Sequence, residues 1–189
     1  ATADPRRVAT IRDLVVRAID IEMATERTHR ESVDVMRIGA AEVEAQPDGI
    51  DLEGPMFEGL RMAGLISRGQ LADPSSMAAK AGRDSVRATY GSIPAAFWIT
   101  TPDNSRMSQI AAGRAYVRAN LRAALEGLSM HPVSQSLQEY EEMRAPYAAI
   151  HEILGARAGD RVQMLARVGY GPQVEVSPRW PLEAKLRPA

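Results

Sequence analysis

The run RMSQIAAGRAYVRANLRAALEGL, Arg106 to Leu128, constrains the fold more than any other stretch. Ile110, Gly113, Val117, Leu121, Ala124 and Leu128 recur at three- and four-residue spacing, the period of one face of an α-helix, and Gly127 suits the turn that ends it. A helix of this length reaches roughly 30 Å, about the diameter of a small domain, so the other elements must be arranged along it. Small residues on one side, Ala111, Ala112, Gly113 and Ala115, allow another backbone to come close. Just upstream, AAFWITT (Ala95 to Thr101) places aromatic and β-branched residues between Pro94 and Pro102, which predicts a strand, central in its sheet. DRVQMLARVGYG, Asp160 to Gly171, predicts a second strand.

The rest reads mostly as helix. Asp4 before Pro5 is an N-cap with proline at the first helical position, and Val8, Ile11, Leu14, Val15, Ala18, Ile19 and Met23 follow on one face. Thr28 to Glu31 has capping-box spacing and predicts a second helix that carries Val33, Met36 and Ile38 inward before Gly39. Gln46 to Pro55 reads as a turn-rich connection, followed by a helix through Met56, Leu60 and Ala63. From about Ser75 to Tyr90 an alanine-rich, weakly amphipathic helix is suited to a mobile cover. EEMRAPYAAIHEIL predicts a shorter helix interrupted at Pro146. No internal repeat is visible. The fold class is α+β, long helices packed on a small sheet.

Composition narrows the function. A chain of 189 residues, 45% hydrophobic and 25% charged, has enough apolar material for one compact domain or slightly more. A formal net charge of -1 offers no field to neutralise phosphates, so nucleic acid is not an expected partner. No apolar run approaches the roughly 20 residues that cross a bilayer and no signal peptide opens the chain, so no membrane partner and a cytoplasmic location are expected, with export of a longer precursor left open. The absence of cysteine removes disulfides, thiolate metal sites and cysteine nucleophiles. A start at Ala1 without methionine points to processing, trimming or a longer parent.

Residues with chemical potential are few. GLSMHPVSQSLQEY, Gly127 to Tyr140, reads as a polar turn carrying His131 beside Pro132, with Ser129, Ser134, Gln135 and Gln138 close in sequence. With no Asp or Glu next to it, such a histidine reads more readily as a structural turn residue than as a general base. Arg114, Arg118 and Arg122 form a stripe better read as a solvated face than as an anion site. The 3 histidines show no metal-binding spacing, so no metal is expected. Gly169 and Gly171 lack the helix that a dinucleotide fingerprint requires. LISRGQLADPSSMAAKAG has a hint of helix-turn-helix spacing without the basic surface that would support it.

The order of features goes further. A strand FWITTPDNS, the helix QIAAGRAYVRANLRAALEGLSMHPVSQ, the helix EYEEMRAPYAAIHEIL, the strand VQMLARVGYG and the terminal SPRWPLEAKL together resemble the C-terminal part of the nitroreductase-like flavoprotein family. The similarity is greatest to its bacterial branch of longer, internally duplicated chains, some of which carry twin-arginine signals. It extends back through THRESVDVMRIGAAEVEAQPDGIDL and so covers nearly the whole chain.

The resemblance implies one nitroreductase-like domain over 1–189, with 64–90 as a lid insertion. It implies an FMN site shared between two units, either in a homodimer or by pairing with an N-terminal half. The stretch after the long helix would pass the flavin ring, here Met130, His131, Pro132 and Ser134. Arg179, before Trp180 and Pro181, would grip the phosphate, a planar set of donors between Pro178 and Pro181 that limit its direction. The chain departs from the family at Ser177, where many relatives have a second basic residue. It also lacks the family's Arg-x-Ser-x-Arg element and its Ser-x-x-Asn-x-Gln-Pro-Trp-like loop. The expectation is a C-terminal piece of a longer flavoprotein, from which FMN could be absent, and no catalytic residue is assigned.

Two classes of function follow. One is an FMN-dependent oxidoreductase that takes electrons from NAD(P)H and delivers them to a nitroaromatic, a quinone or a similar small-molecule acceptor. The other is a flavin-binding or flavin-sequestering protein without turnover.

Overall fold

A computed structural model of the chain describes residues 1–172, 174 and 176–186. In chain order these form α1 (Pro5–Ala24), α2 (Glu26–Asp34), β1 (Met36–Ile38), α3 (Ala40–Ala45), β2 (Ile50–Leu52), α4 (Pro55–Met62), α5 (Arg68–Ala72) and α6 (Met77–Gly91). There follow β3 (Ala95–Thr101), α7 (Arg106–Leu125), β4 (Ser129–Pro132), α8 (Arg144–Ile153) and β5 (Arg161–Gly169). Short 3₁₀ turns lie at Gln135–Leu137, Glu141–Met143 and Leu182–Lys185. The class is α+β. The chain divides into two compact units, one of Ala1–Ala24 with Val86–Pro172, the other of Thr25–Ser85 with the described C-terminal residues.

In the first unit an antiparallel sheet has the order β3-β5-β4. β5 is therefore the middle strand, and the expected central place of AAFWITT is corrected. Phe97 and Trp98 of β3 pair with Ala166 and Leu165, and Thr2 bridges Ala96 on the other side of β3. The core joins Ile11, Val15 and Ile19 of α1 to Ile150 of α8, Val162 and Leu165 of β5, and Val133. α1 begins as its sequence requires, with the Arg7 amide donating to Asp4 Oδ1 at 2.8 Å. Pro146 does not interrupt α8; it lies in the first turn, where a missing N–H costs nothing. Gly169 is needed for close approach, since a Cβ there would meet Pro94 Cγ at 2.7 Å.

α7 packs on the sheet through its alanines. Ala112 and Ala123 are its buried residues, while Ile110, Val117 and Leu121, which set its sequence period, point outward.

His151 ties α8 to the sheet. Its Nδ1 lies 2.8 Å from the Tyr147 carbonyl oxygen and must donate, so Nε2 is the acceptor for the Val162 amide at 3.1 Å. Protonation would remove that acceptor, and burial accordingly holds the His151 pKa below the ordinary value, against a smaller opposing pull from Glu139. His131 is shifted the same way. As pH falls through the ordinary histidine value of about 6.5, the unfolded chain takes up protons that the folded chain resists, so stability should fall below that pH. Urea unfolding is expected to show a lower midpoint at pH 5.5 than at pH 7.5. His151→Leu leaves the buried Val162 amide without a partner, should cost about 1–3 kcal/mol at pH 7.5, and should flatten the pH dependence.

The second unit is built on a short parallel pair, Met36 to Ile38 against Ile50 to Leu52, with α3 as the crossover. Gln46 to Pro55 thus contains a strand where the sequence suggests only turns. The helix anticipated from Thr28 begins at Glu26 and stops at Asp34, so Ile38 is buried from a strand rather than from a helix. Arg68 explains the stop, as Nη1 donates to the carbonyls of Val33 and Met36 at 2.9 and 3.0 Å. Gly49, at φ 83°, admits the turn into β2, where any Cβ would collide with the Val35 carbonyl. Val33, Ile38, Ile66 and Leu71 form the core, and His29 Nε2 reaches the Leu71 carbonyl at 2.9 Å. α5, the first helix of the stretch with helix-turn-helix spacing, supplies Leu71.

Candidate functional site

Ser129 to Pro132 is not a turn. It is strand β4, paired with β5 in the register Met130↔Val168, His131↔Arg167 and Pro132↔Ala166. The Val133 amide donates to the Leu165 carbonyl at 2.9 Å, and the antiparallel pattern then alternates, so His131 and Ser129 bond to β5 while the amide groups of Met130 turn away. No strand covers that outer side among the described residues. The exposed edge therefore offers the Met130 N–H as a donor and the Met130 and Pro132 carbonyls as acceptors. Pro132 has no N–H, and it occupies a position whose N–H would also have pointed outward, one of the few that a strand tolerates for proline.

The His131 ring is fixed by its cross-strand partner. Arg167 Nε donates to His131 Nδ1 at 3.1 Å, and Arg167 Nη1 donates to the Thr89 carbonyl at 2.7 Å and to Ser92 Oγ at 3.2 Å. A guanidinium cannot accept, so Nδ1 is unprotonated and the neutral ring carries its proton on Nε2. Burial first and the Arg167 charge second push the His131 pKa down, which keeps the ring neutral at pH 7. Tyr90 meets the ring edge-on, with centroids 6.0 Å apart, and burial raises its phenol pKa while Gln135 hydrogen-bonds to it. His131 thus presents a neutral Nε2–H of defined direction, suited to hydrogen-bond an electronegative atom. Ser134 is half-buried; its carbonyl accepts from the Leu137 amide, and its hydroxyl makes no hydrogen bond among the described residues.

Arg179 belongs to the second unit. It is exposed, and Nη1 donates to the carbonyl oxygens of Pro178 at 2.8 Å and Ser177 at 3.4 Å, so Nε and Nη2 keep their donors. No carboxylate pairs with it among the described residues. Its neighbour Trp180 is pinned, Nε1 donating to Asp48 Oδ2 at 2.7 Å, with Lys185 Nζ 4.6 Å above the ring. Asp48 also takes Arg37 Nη2 at 2.8 Å, and the Trp180 bond, then the Arg37 bond, hold its pKa below the usual carboxylate value.

Met130, His131, Pro132 and Ser134 are thus neighbours within one unit, and Arg179 is in the other. Sequence reasoning missed Arg167, Tyr90 and the Asp48–Trp180 clasp. Arg167 gave one signal, a charged residue set among the apolar Leu165, Ala166 and Val168. No group of acidic or histidine residues able to hold a metal occurs among the described residues, and no helix is long and apolar enough to cross a membrane.

Neither a family model nor a curated protein matches the chain. Among solved structures the chain is similar to the crystal structure of the nitroreductase-like family protein from Bacillus cereus, with 20% sequence identity and a TM-score of 0.40. That similarity covers 60% of this chain and 61% of the other, so the matched stretch spans less than two thirds of that protein's length.

Proposed function

We propose that the protein is an FMN-dependent oxidoreductase of nitroreductase type. The observation that carries this reading is the uncovered edge of β4, which sets the Met130 N–H and C=O side by side next to a neutral, arginine-fixed histidine donor. An adjacent amide donor and acceptor complement the imide edge of a flavin ring, where a carbonyl and an N–H stand together, so the donor set fits the group.

Bound FMN would take a hydride equivalent from NAD(P)H and pass electrons to a nitroaromatic or quinone acceptor. The chain's own part is orientation. The Met130 amide recognises the ring edge, and Pro132 stiffens the strand beyond it. His131 holds its proton on Nε2, available to a ring or substrate oxygen, and Arg167 keeps it there. The Ser134 hydroxyl is a further donor or acceptor close in sequence. Arg179 is assigned to the phosphate by resemblance, supported by its free donors and its lack of an acidic partner; Ser177 adds no second cation.

These assignments separate in one experiment. Purified protein should take up FMN, and the flavin absorbance should bleach with NADPH under anaerobic conditions and return with a nitroaromatic acceptor. Arg179→Ala should weaken FMN about tenfold and leave riboflavin, which has no phosphate, unchanged. Bound flavin that stays oxidised would establish the sequestering alternative, and equal effects on FMN and riboflavin would remove Arg179 from the phosphate.

A further inference from the structure

The described C-terminal residues have little to hold them. Val176, Leu182 and Leu186 are exposed by 94%, 67% and 62%, so apolar burial does not fix this segment. Its backbone bonding is local, the Ala184 amide donating to the Pro181 carbonyl at 3.1 Å within the last 3₁₀ turn. Among the described residues one hydrogen bond ties the segment to the rest of its unit, from Trp180 Nε1 to Asp48 Oδ2 at 2.7 Å. Trp180 is half-buried, while Arg179 and Pro181 on either side of it are exposed.

The acceptor end of that bond is rigid. Asp48 stands in the turn ahead of β2, followed by Gly49 at φ 83°, and the Ile50 amide closes the turn on the Val35 carbonyl at 2.9 Å. Arg37 of β1, its side chain 13% exposed, donates from Nη2 to Asp48 Oδ1 at 2.8 Å and from Nη1 to the carbonyls of Asp34 and Met36 at 3.3 and 3.2 Å. One carboxylate oxygen is therefore occupied by a guanidinium fixed to a strand, and the other faces the indole. Because both bonds favour the charged form, the acceptor stays ionised at neutral pH. Lys185 Nζ, 4.6 Å above the indole ring, holds the face of the ring as Asp48 holds its edge. Core packing does not account for this arrangement, since the core of the unit is made by Val33, Ile38, Ile66 and Leu71 with Met36, Leu52, Phe57, Leu60 and Ala78 against it, and Trp180 is not part of it.

We propose that Trp180 and Asp48 are positioning residues for Arg179, a role that rests on the assignment of Arg179 to the FMN phosphate. Their bond moors the segment one residue from Arg179, and Pro178 and Pro181 limit how far the backbone between them can turn away. A guanidinium on a moored segment meets a phosphate ester without first ordering the chain that carries it. On a loose segment, part of the binding free energy is lost to that ordering.

The test compares FMN with riboflavin, which lacks the phosphate. Trp180→Phe keeps a ring beneath Lys185 and deletes the donor, so it should weaken FMN about fivefold and leave both riboflavin and the urea unfolding midpoint unchanged. Asp48→Ala should weaken FMN similarly, and Asp48→Asn, which keeps an oxygen for the indole, should restore most of the affinity. Added to Arg179→Ala, Trp180→Phe should have no further effect, because the two act through one guanidinium. In the flavin-free protein the Trp180 indole N–H resonance, identified by its loss in Trp180→Phe, should move upfield in Asp48→Ala and stay near its parent position in Asp48→Asn. If Arg179→Ala weakens FMN selectively while Trp180→Phe does not, the positioning role falls and the phosphate assignment stands. If Arg179→Ala affects the two flavins alike, the phosphate assignment falls and the positioning role with it. An indole resonance indifferent to Asp48→Ala, or a Trp180→Phe variant that loses riboflavin as strongly as FMN, would also overturn the proposal.

Discussion

Leu165→Ala should destabilise the protein by about 3–5 kcal/mol, a large part of the 5–15 kcal/mol that typically separates folded from unfolded domains. Leu165 is fully buried in the middle strand of the sheet, its carbonyl accepts from Val133, and it pairs with Trp98 across β3. Neighbours on both sides of β5 are held by their own ladder bonds, so the cavity cannot collapse cheaply. Urea unfolding should show the midpoint falling steeply with little change in slope. Leu121→Ala is the matched control. The same atoms are removed, but Leu121 is 63% exposed and the change should stay within about 0.5 kcal/mol. Equal losses at the two positions would mean that α7 is already covered in the folded chain.

Met130→Pro should abolish most flavin binding without unfolding the sheet. It deletes one outward N–H and no ladder bond, since the His131 and Ser129 positions carry the pairing to β5. Ser129, which the new proline restricts, is already extended. A ring oxygen left buried without its donor costs about 1–3 kcal/mol, so affinity should fall roughly tenfold or more. Met130→Leu keeps the amide and should bind as the parent does. Loss of affinity in both variants would shift the role from the Met130 backbone to its thioether.

The longer helices and the two long strands were legible because their signals are local. Asp4-Pro5 marks a helix start on its own, and Phe97, Trp98 and Ile99 form a strand whatever lies around them. The site was less legible because proline carries opposite meanings in different places. Pro132 beside His131 reads as a turn, yet on an uncovered strand edge it costs no hydrogen bond, and only the pairing with β5 reveals that edge. Pro146 was misread for the same reason, being harmless in the first turn of α8. β1 and β2 span three residues each, too short to show a period, and β1 is held by Arg68 and Glu42, whose importance depends on the carbonyls and the amide that they meet in the fold. The Asp48–Trp180 bond joins residues 132 positions apart, beyond any spacing argument. In α7 the period marked the helix but not its buried face, which belongs to Ala112 and Ala123, because alanine packs a helix closely on a sheet as larger side chains cannot.

Titration of the purified chain with FMN, followed by the flavin absorbance bands and fluorescence, tests the central claim most directly. The account predicts a saturable spectral shift with one flavin per chain that Met130→Pro removes and Met130→Leu preserves. A flavin spectrum unchanged by the folded protein, or one shifted equally by parent and Met130→Pro, would contradict it.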